Sequence, residues 1–419
     1  MKILFVTPNS SGSGEAVTAL HMGRELVRAG HEVRYLASAF TAGFLRASFP
    51  TAVEELCGQA REDRRRWQSL IRGFKPRLVV FADYPLLFLS TTDRALLEGE
   101  DRLDLDDLDA QLVTLDHLGM AQGPLTLSFG PPHLELYLMH LPAVPERMKV
   151  LLPCPVQSPM PPAELRGTPF RYWQLPLAGL SAARRREIRE RFLEREDGLL
   201  VFHSVPTWAQ ELSRRHRLPN YWYLTRLFEA YLGGLRRPVT VLSVHRDRLL
   251  APSSAPGLRV VGLSQLAPQE YQELLFASDL MVTDNGISVS LGQAVCGLIP
   301  CAVLRNSYRL LELLERTAGA LREMLLEMER DRPGAVFPFE VFPIWSREDL
   351  AALRLFVGNP LTRCVARLEI YGGEETRRAL EALLTDPAHR QEVQSRQSEY
   401  VSSLCRLPDP EEALLSLAG

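Results

Sequence analysis

Two doubly wound α/β domains in series, facing each other across a cleft, are what this 419-residue sequence predicts. Three observations lead there. Residues 2–36 run as apolar strand, Gly/Ser loop, amphipathic helix and second strand, the order of a Rossmann-like βαβ unit with a parallel sheet. A new series of strands and helices opens at Leu199-Leu200-Val201-Phe202. Between the two, Pro153, Pro155, Pro159, Pro161, Pro162 and Pro169 crowd one stretch, which reads as an extended connection. The expected division is an N-terminal domain over 1–180 and a C-terminal domain over 181–395 with an insertion at 307–370. A tail helix over 396–419 closes the chain.

In the first half, residues 2–7 are an apolar strand, and a helix over 16–29 places Val17, Leu20, Leu26 and Val27 at near-helical spacing. Gly30 stops that helix and Glu32–Leu36 is the next strand. Further strands are expected at Leu78–Ala82 and Leu112–Leu115. In the second half a charged helix over 182–196 precedes strands at Leu199–Ser204, Val239–Val244, Leu258–Val261, Leu280–Thr283 and Cys301–Leu304. Residues 307–345 read as a helix and the Pro/Phe-rich run Val336–Trp345, and helical segments fill 374–404.

Composition narrows the function. Hydrophobic residues make up 46% and charged residues 24%, which excludes a disordered chain. A net charge of −3 supplies no global field for nucleic acid or an anionic membrane. The basic runs Arg64–Arg66 and Arg184–Arg186 are interleaved with acids and read as solvated helix faces. The six cysteines form no Cys-x-x-Cys pair and no zinc spacing, so no metal is expected, and no cofactor. The Asp-rich stretch 100–109 lacks the spacing and glycine of a calcium loop. No apolar run is long enough to span a membrane, and the expected location is the cytoplasm.

Chemistry concentrates at strand ends. The loop Gly12-Ser13-Gly14-Glu15 opens the first helix, where backbone N–H groups favour an anion or a hydroxyl. Val17 stands where a dinucleotide fingerprint needs its third glycine, and no Gly-Lys-Ser/Thr follows, so neither a nicotinamide nor a triphosphate loop is present. Asp83 ends one strand, and His117, next to Asp116, ends another. In the second half Asp284-Asn285-Gly286-Ile287-Ser288-Val289-Ser290 joins a strand to a helix, and a Gly/Asn/Ser junction of this kind suits a ligand better than a core role does. Ser204 beside His203, and Arg246 beside His245, end two further strands, and Arg246 is a fixed charge suited to phosphate.

Gly14-Glu15-Ala16-Val17 through Arg24-Glu25-Leu26 and Gly30-His31-Glu32-Val33, the strand ending in Asp83, and Asp279–Ser290 followed by Gly297-Leu298-Ile299-Pro300 together resemble inverting nucleotide-sugar glycosyltransferases of the GT-B class. That class includes natural-product glycosyltransferases and the lipid-II-forming N-acetylglucosaminyltransferase. The resemblance implies that Glu15 stands at the catalytic histidine position and Asp83 at its acidic partner, so two carboxylates are expected to face each other. His117 is the second candidate for the base. It implies donor binding through Gly12, Gly14, Ser204, Arg246, Asn285, Gly286, Ser288 and Ser290. The ribose-binding glutamate falls on Gly292, with Gln293 beside it, and Asp284 stands where the class carries a neutral or basic group. The expected activity is metal-independent, inverting transfer of a sugar from a nucleotide-sugar donor to a small-molecule acceptor, with a homodimer possible. A nucleotide-sugar 2-epimerase or hydrolase, and a degenerate binding protein of the same architecture, are the alternatives. Glu15 also reads as a plain first-turn acid complementing the helix dipole.

Overall fold

The computed structural model describes residues 1–8, 14–89, 94, 97–98, 102–103, 105–106, 108–129, 137–175, 177, 179–245, 250–264, 266–343, 353 and 355–418. The first half contains β1 (Lys2–Thr7), α1 (Gly14–Arg28), β2 (Glu32–Ser38), α2 (Ala39–Arg46), β3 (Val53–Leu56), α3 (Ala60–Phe74), β4 (Leu78–Phe81), β5 (Gln111–Leu115), the hairpin β6 (Leu125–Phe129) and β7 (Tyr137–Leu141), β8 (Met148–Cys154) and β9 (Thr168–Arg171). Seven strands form one parallel sheet in the order β3-β2-β1-β4-β5-β8-β9.

The second half contains α4 (Ala182–Phe192), β10 (Leu199–Ser204), α5 (Thr207–His216), α6 (Asn220–Leu232), β11 (Val239–Val244), β12 (Leu258–Leu263), α7 (Pro268–Ala277), β13 (Leu280–Thr283), α8 (Val289–Cys296), β14 (Cys301–Arg305), α9 (Leu310–Arg316), α10 (Gly319–Asp331), β15 (Ala366–Glu369), α11 (Glu374–Thr385), α12 (Pro387–Leu404) and α13 (Pro410–Ala418). Its sheet is also parallel, in the order β12-β11-β10-β13-β14-β15.

The central strands are near-continuous apolar runs because helices cover both faces: Ile3, Leu4, Phe5 and Val6 are buried, as are Leu200, Val201 and Phe202. Gly30 ends α1 with φ +86, a conformation only glycine adopts without penalty. Both strand orders reverse beside the first strand of the sheet, β1 between β2 and β4 and β10 between β11 and β13, so the loops after these strands flank a switch point.

One expectation is corrected. The Pro-rich stretch 153–169 does not link the halves; it joins the last two strands of the first sheet. Pro153 lies beyond the β5 register, which ends at Leu115↔Leu151, and Pro169 sits in the edge strand β9, so neither proline breaks a central ladder. The last helix returns to the first half. The Arg171 N–H donates to the Pro408 carbonyl (3.0 Å), and His31 Nε2 lies 3.1 Å from Glu411 Oε1. Among the described residues no helix is long and apolar enough to cross a membrane. Cys154, Cys296, Cys301 and Cys364 are buried free thiols, and Cys57 and Cys405 are exposed ones.

Candidate functional site

Parallel strands deliver their C-terminal ends to one rim, and the first half places three polar side chains there. Asp83 follows β4 and His117 follows β5; because these strands are hydrogen-bonded neighbours, their ends meet. Asp83 Oδ2 accepts the His117 backbone N–H (3.1 Å) and lies 3.2 Å from Nδ1. Asp83 Oδ1 accepts the Leu86 N–H at 3.2 Å. On the other side of the ring, Nε2 is 3.0 Å from the Thr18 hydroxyl, which also reaches the Gly14 carbonyl at 3.2 Å. The single Thr18 proton decides the tautomer. While Thr18 donates to the Gly14 carbonyl, Nε2–H donates to the Thr18 oxygen and Nδ1 accepts from a protonated Asp83. With the ring proton on Nδ1, the imidazole donates to Asp83 and Thr18 turns its proton to Nε2.

Burial sets the protonation of this pair. It pulls His117 below its ordinary pKa, against the pull of Glu15 and Asp116, so the ring is neutral at neutral pH. Burial pushes Asp83 up to about 7, opposed by the two backbone N–H bonds it accepts. Asp116 is a structural group: its carboxylate accepts the N–H groups of Leu118, Met120 and Ala121.

Glu15 occupies the first turn of α1, half-buried, where the helix N-terminus favours a negative charge. The expected facing of Glu15 and Asp83 is replaced by a different pairing. Asp83 bonds His117, and Glu15 lies close enough to act on His117 electrostatically. The physical reason is the sheet: adjacent strand ends are held together by the ladder, while Glu15 is carried on the helix.

In the second half, Ser288 caps α8 by accepting the Ser290 N–H at 3.1 Å, and the Asn285 side chain accepts the Ile287 N–H at 3.1 Å. Ser204 accepts from the Tyr271 hydroxyl (2.8 Å), which also meets the Ser290 side chain. The two helix starts touch: a Cβ on Gly14 would lie 3.4 Å from Val289 Cγ2. Gly12 and Arg246 lie outside the described residues. Gln293 is buried within α8, and a Cβ on Gly292 would lie 2.6 Å from Pro155 Cγ and 3.6 Å from the Trp173 ring, so the first half closes over the expected ribose position. His203 is interior, its Nδ1 2.9 Å from the Ser243 hydroxyl, with its pKa held down to about 3 by burial and by His245.

Asp284 turns away from the α8 N-terminus. Its Oδ2 accepts from the Tyr221 hydroxyl at 2.7 Å, and burial pushes its carboxyl up to about 7. Near neutral pH it is therefore only partly ionised, and its negative charge at the loop is reduced. A carboxyl raised from 3.8 to about 7 in the folded chain favours folding at low pH, and that contribution is lost as pH rises between those values. Asp284→Asn is thus expected to lose less stability than wild type between about pH 4 and pH 7. Urea midpoints across that range check it, and parallel curves would refute it.

Thr18, Tyr221 and Pro155 were not legible as site residues. Thr18 alone left a trace, one helical turn after Gly14 on the inward face of α1. Among the described residues no group of three His, Cys, Asp or Glu side chains is placed to hold a metal ion.

Two parallel-sheet halves with their helix starts apposed define the GT-B architecture. The chain belongs to the family of unknown function DUF6365, which it matches over residues 22–419. No curated protein matches the sequence. Among solved structures it is similar to the spinosyn forosaminyltransferase SpnP (15% identity, 100% of this chain and 98% of that one, TM-score 0.56). It is also similar to the spinosyn rhamnosyltransferase SpnG (15%, 100% of both chains, TM-score 0.52) and to the glycosyltransferase VinC in complex with dTDP (12%, 100% and 98%, TM-score 0.52). At these identities the likeness is one of fold.

Proposed function

We propose that this chain transfers a sugar from a nucleotide-sugar donor to a small-molecule acceptor, with inversion at the anomeric carbon. One juxtaposition supports the reading most: the first turn of α1, carrying Glu15, meets the first turn of α8, carrying Ser288 and Ser290. On this fold SpnG has been solved with spinosyn aglycone and with thymidine diphosphate, which makes a dTDP-type donor and an aglycone acceptor the first to try.

In this scheme the acceptor hydroxyl or amine gives its proton to the Glu15 carboxylate as its oxygen or nitrogen bonds the anomeric carbon. The bond from that carbon to the diphosphate oxygen breaks on the opposite face. The departing diphosphate is met by the N–H groups of the α8 start and by the Ser288 and Ser290 hydroxyls, with no metal ion taking part. The neutral His117, held by Asp83, fixes Thr18 and through it the helix turn that carries Glu15. Because Gly14 and Val289 are nearly in contact, the helix starts separate as the donor enters.

The same near-contact favours a second reading, a binding protein that no longer takes a nucleotide. Thermal shift against dTDP, UDP and their sugars separates the two. A rise in melting temperature with any of them is expected, and no shift with all of them would remove the transferase reading. Without an acceptor, free sugar would instead indicate hydrolysis, and an epimeric nucleotide sugar would indicate epimerisation.

A further inference from the structure

Beside the donor loop lies a narrow cavity bounded by Gly286, Val303, Glu340, Phe356, Thr362 and Arg367, with room for water-sized guests only. The Phe356 ring touches Gly286: a Cβ there would lie 3.4 Å from its Cζ. Gly286 does not have a left-handed backbone, so the missing side chain makes space rather than a turn. Below the ring stands an ion pair. Glu340, 7% exposed, bonds Arg367 closely and lies 3.5 Å from Arg305. The backbone beside Glu340 is fixed by two bonds between Phe339 and Asn306, the residue after β14. Arg367 presents its guanidinium carbon 5.5 Å from the Phe356 ring centre.

Phe356 is held less tightly than Leu355 and Asn359 on either side of it. Leu355 is buried against the first half, and Asn359 donates to the Val156 carbonyl at 2.9 Å and to the Leu355 carbonyl at 3.2 Å. Phe356 itself is only partly buried, and Val357 beyond it is exposed. The ring can therefore leave while the turn stays docked.

We propose that the Glu340–Arg367 pair is the subsite that reads the hydroxyl groups of the transferred sugar, and that Phe356 covers it until the donor arrives. A carboxylate accepting from hydroxyls and a planar guanidinium donating to them present both halves of polyol recognition on one wall. The proposal rests on the nucleotide-sugar reading above.

Calorimetry with dTDP and with dTDP-glucose on wild type, E340Q and F356A tests it. E340Q is expected to bind dTDP like wild type and dTDP-glucose roughly tenfold more weakly, the loss of one hydrogen bond to a charged group. F356A is expected to bind dTDP-glucose more tightly than wild type, because it has no ring to displace. Equal weakening of both ligands in E340Q, or unchanged affinity for both in E340Q and F356A, overturns the subsite. A second arm uses methyl α-D-glucopyranoside and saturation-transfer NMR on F356A and on F356A/E340Q. If no variant binds either nucleotide but the glycoside contacts F356A and not F356A/E340Q, the nucleotide-sugar reading falls and the subsite stands. If the glycoside contacts neither and no nucleotide binds, both fall.

Discussion

Glu15→Gln is expected to lower sugar transfer by roughly a hundredfold or more, the scale of a lost general base, while nucleotide affinity and the melting curve stay close to wild type. The amide keeps the size and hydrogen-bonding reach of the carboxylate but cannot take the acceptor proton. Glu15 is half-buried at the cleft, so the cost to folding is confined to one favourable charge at a helix N-terminus, about 0.3–1 kcal/mol. His117→Gln is the companion measurement. His117 is 4% exposed and both ring nitrogens have partners within the first half, Asp83 and Thr18, so it has no open lone pair for an acceptor. Its loss is expected to reduce transfer less than that of Glu15 and to lower stability. Full activity in Glu15→Gln with activity abolished in a folded His117→Gln would exchange the two roles.

The second large effect concerns Gly292, the position on which the resemblance to the GT-B class places a ribose-binding glutamate. Restoring that residue is expected to damage the protein. A Cβ at this position meets the Pro155 ring at 2.6 Å, inside the distance real side chains tolerate. The ring cannot swing aside, because its carbonyl is held by the Tyr400 hydroxyl at 2.6 Å and the next carbonyl, of Val156, by Asn359. Alanine in place of a mid-helix glycine ordinarily gains about 1 kcal/mol. Here overpacking costs about 1–3 kcal/mol, so Gly292→Ala is expected to be neutral to destabilising. Gly292→Glu adds the burial of a charge and is expected to cost several kcal/mol. Urea unfolding of the three proteins measures this; a Gly292→Glu as stable as wild type, with tighter nucleotide binding, would show that the position faces an open cleft.

These cases show what the sequence carries. Strands with strong apolar runs and helices after them were legible, Leu199–Ser204 and Val239–Val244 to the residue, because burial on both faces writes itself into composition. The edge strand Ala366–Glu369 was not, since half-exposed Arg367 and Glu369 carry no strand signal. Prolines hid β8 and β9, although a strand end and a sheet edge both accept them. At the site, single residues at strand ends were visible while their partners were not. The Asp83–His117 pair depends on β4 lying next to β5, and the closure of Gly292 depends on a loop more than a hundred residues away in the chain. Both are facts of tertiary arrangement with no local trace.

The return of α13 to the first half has a consequence for biosynthesis. On a ribosome the first sheet emerges early, but its β9 flank waits for Pro408 to accept the Arg171 N–H and for Asp409 to approach its guanidinium. The apolar face of Leu414 likewise stays unpaired with its core until the final turn is released. Nascent chains stalled before residue 408 should therefore remain sensitive to protease in the first half, unlike a tandem protein whose leading domain is finished before its trailing one is made.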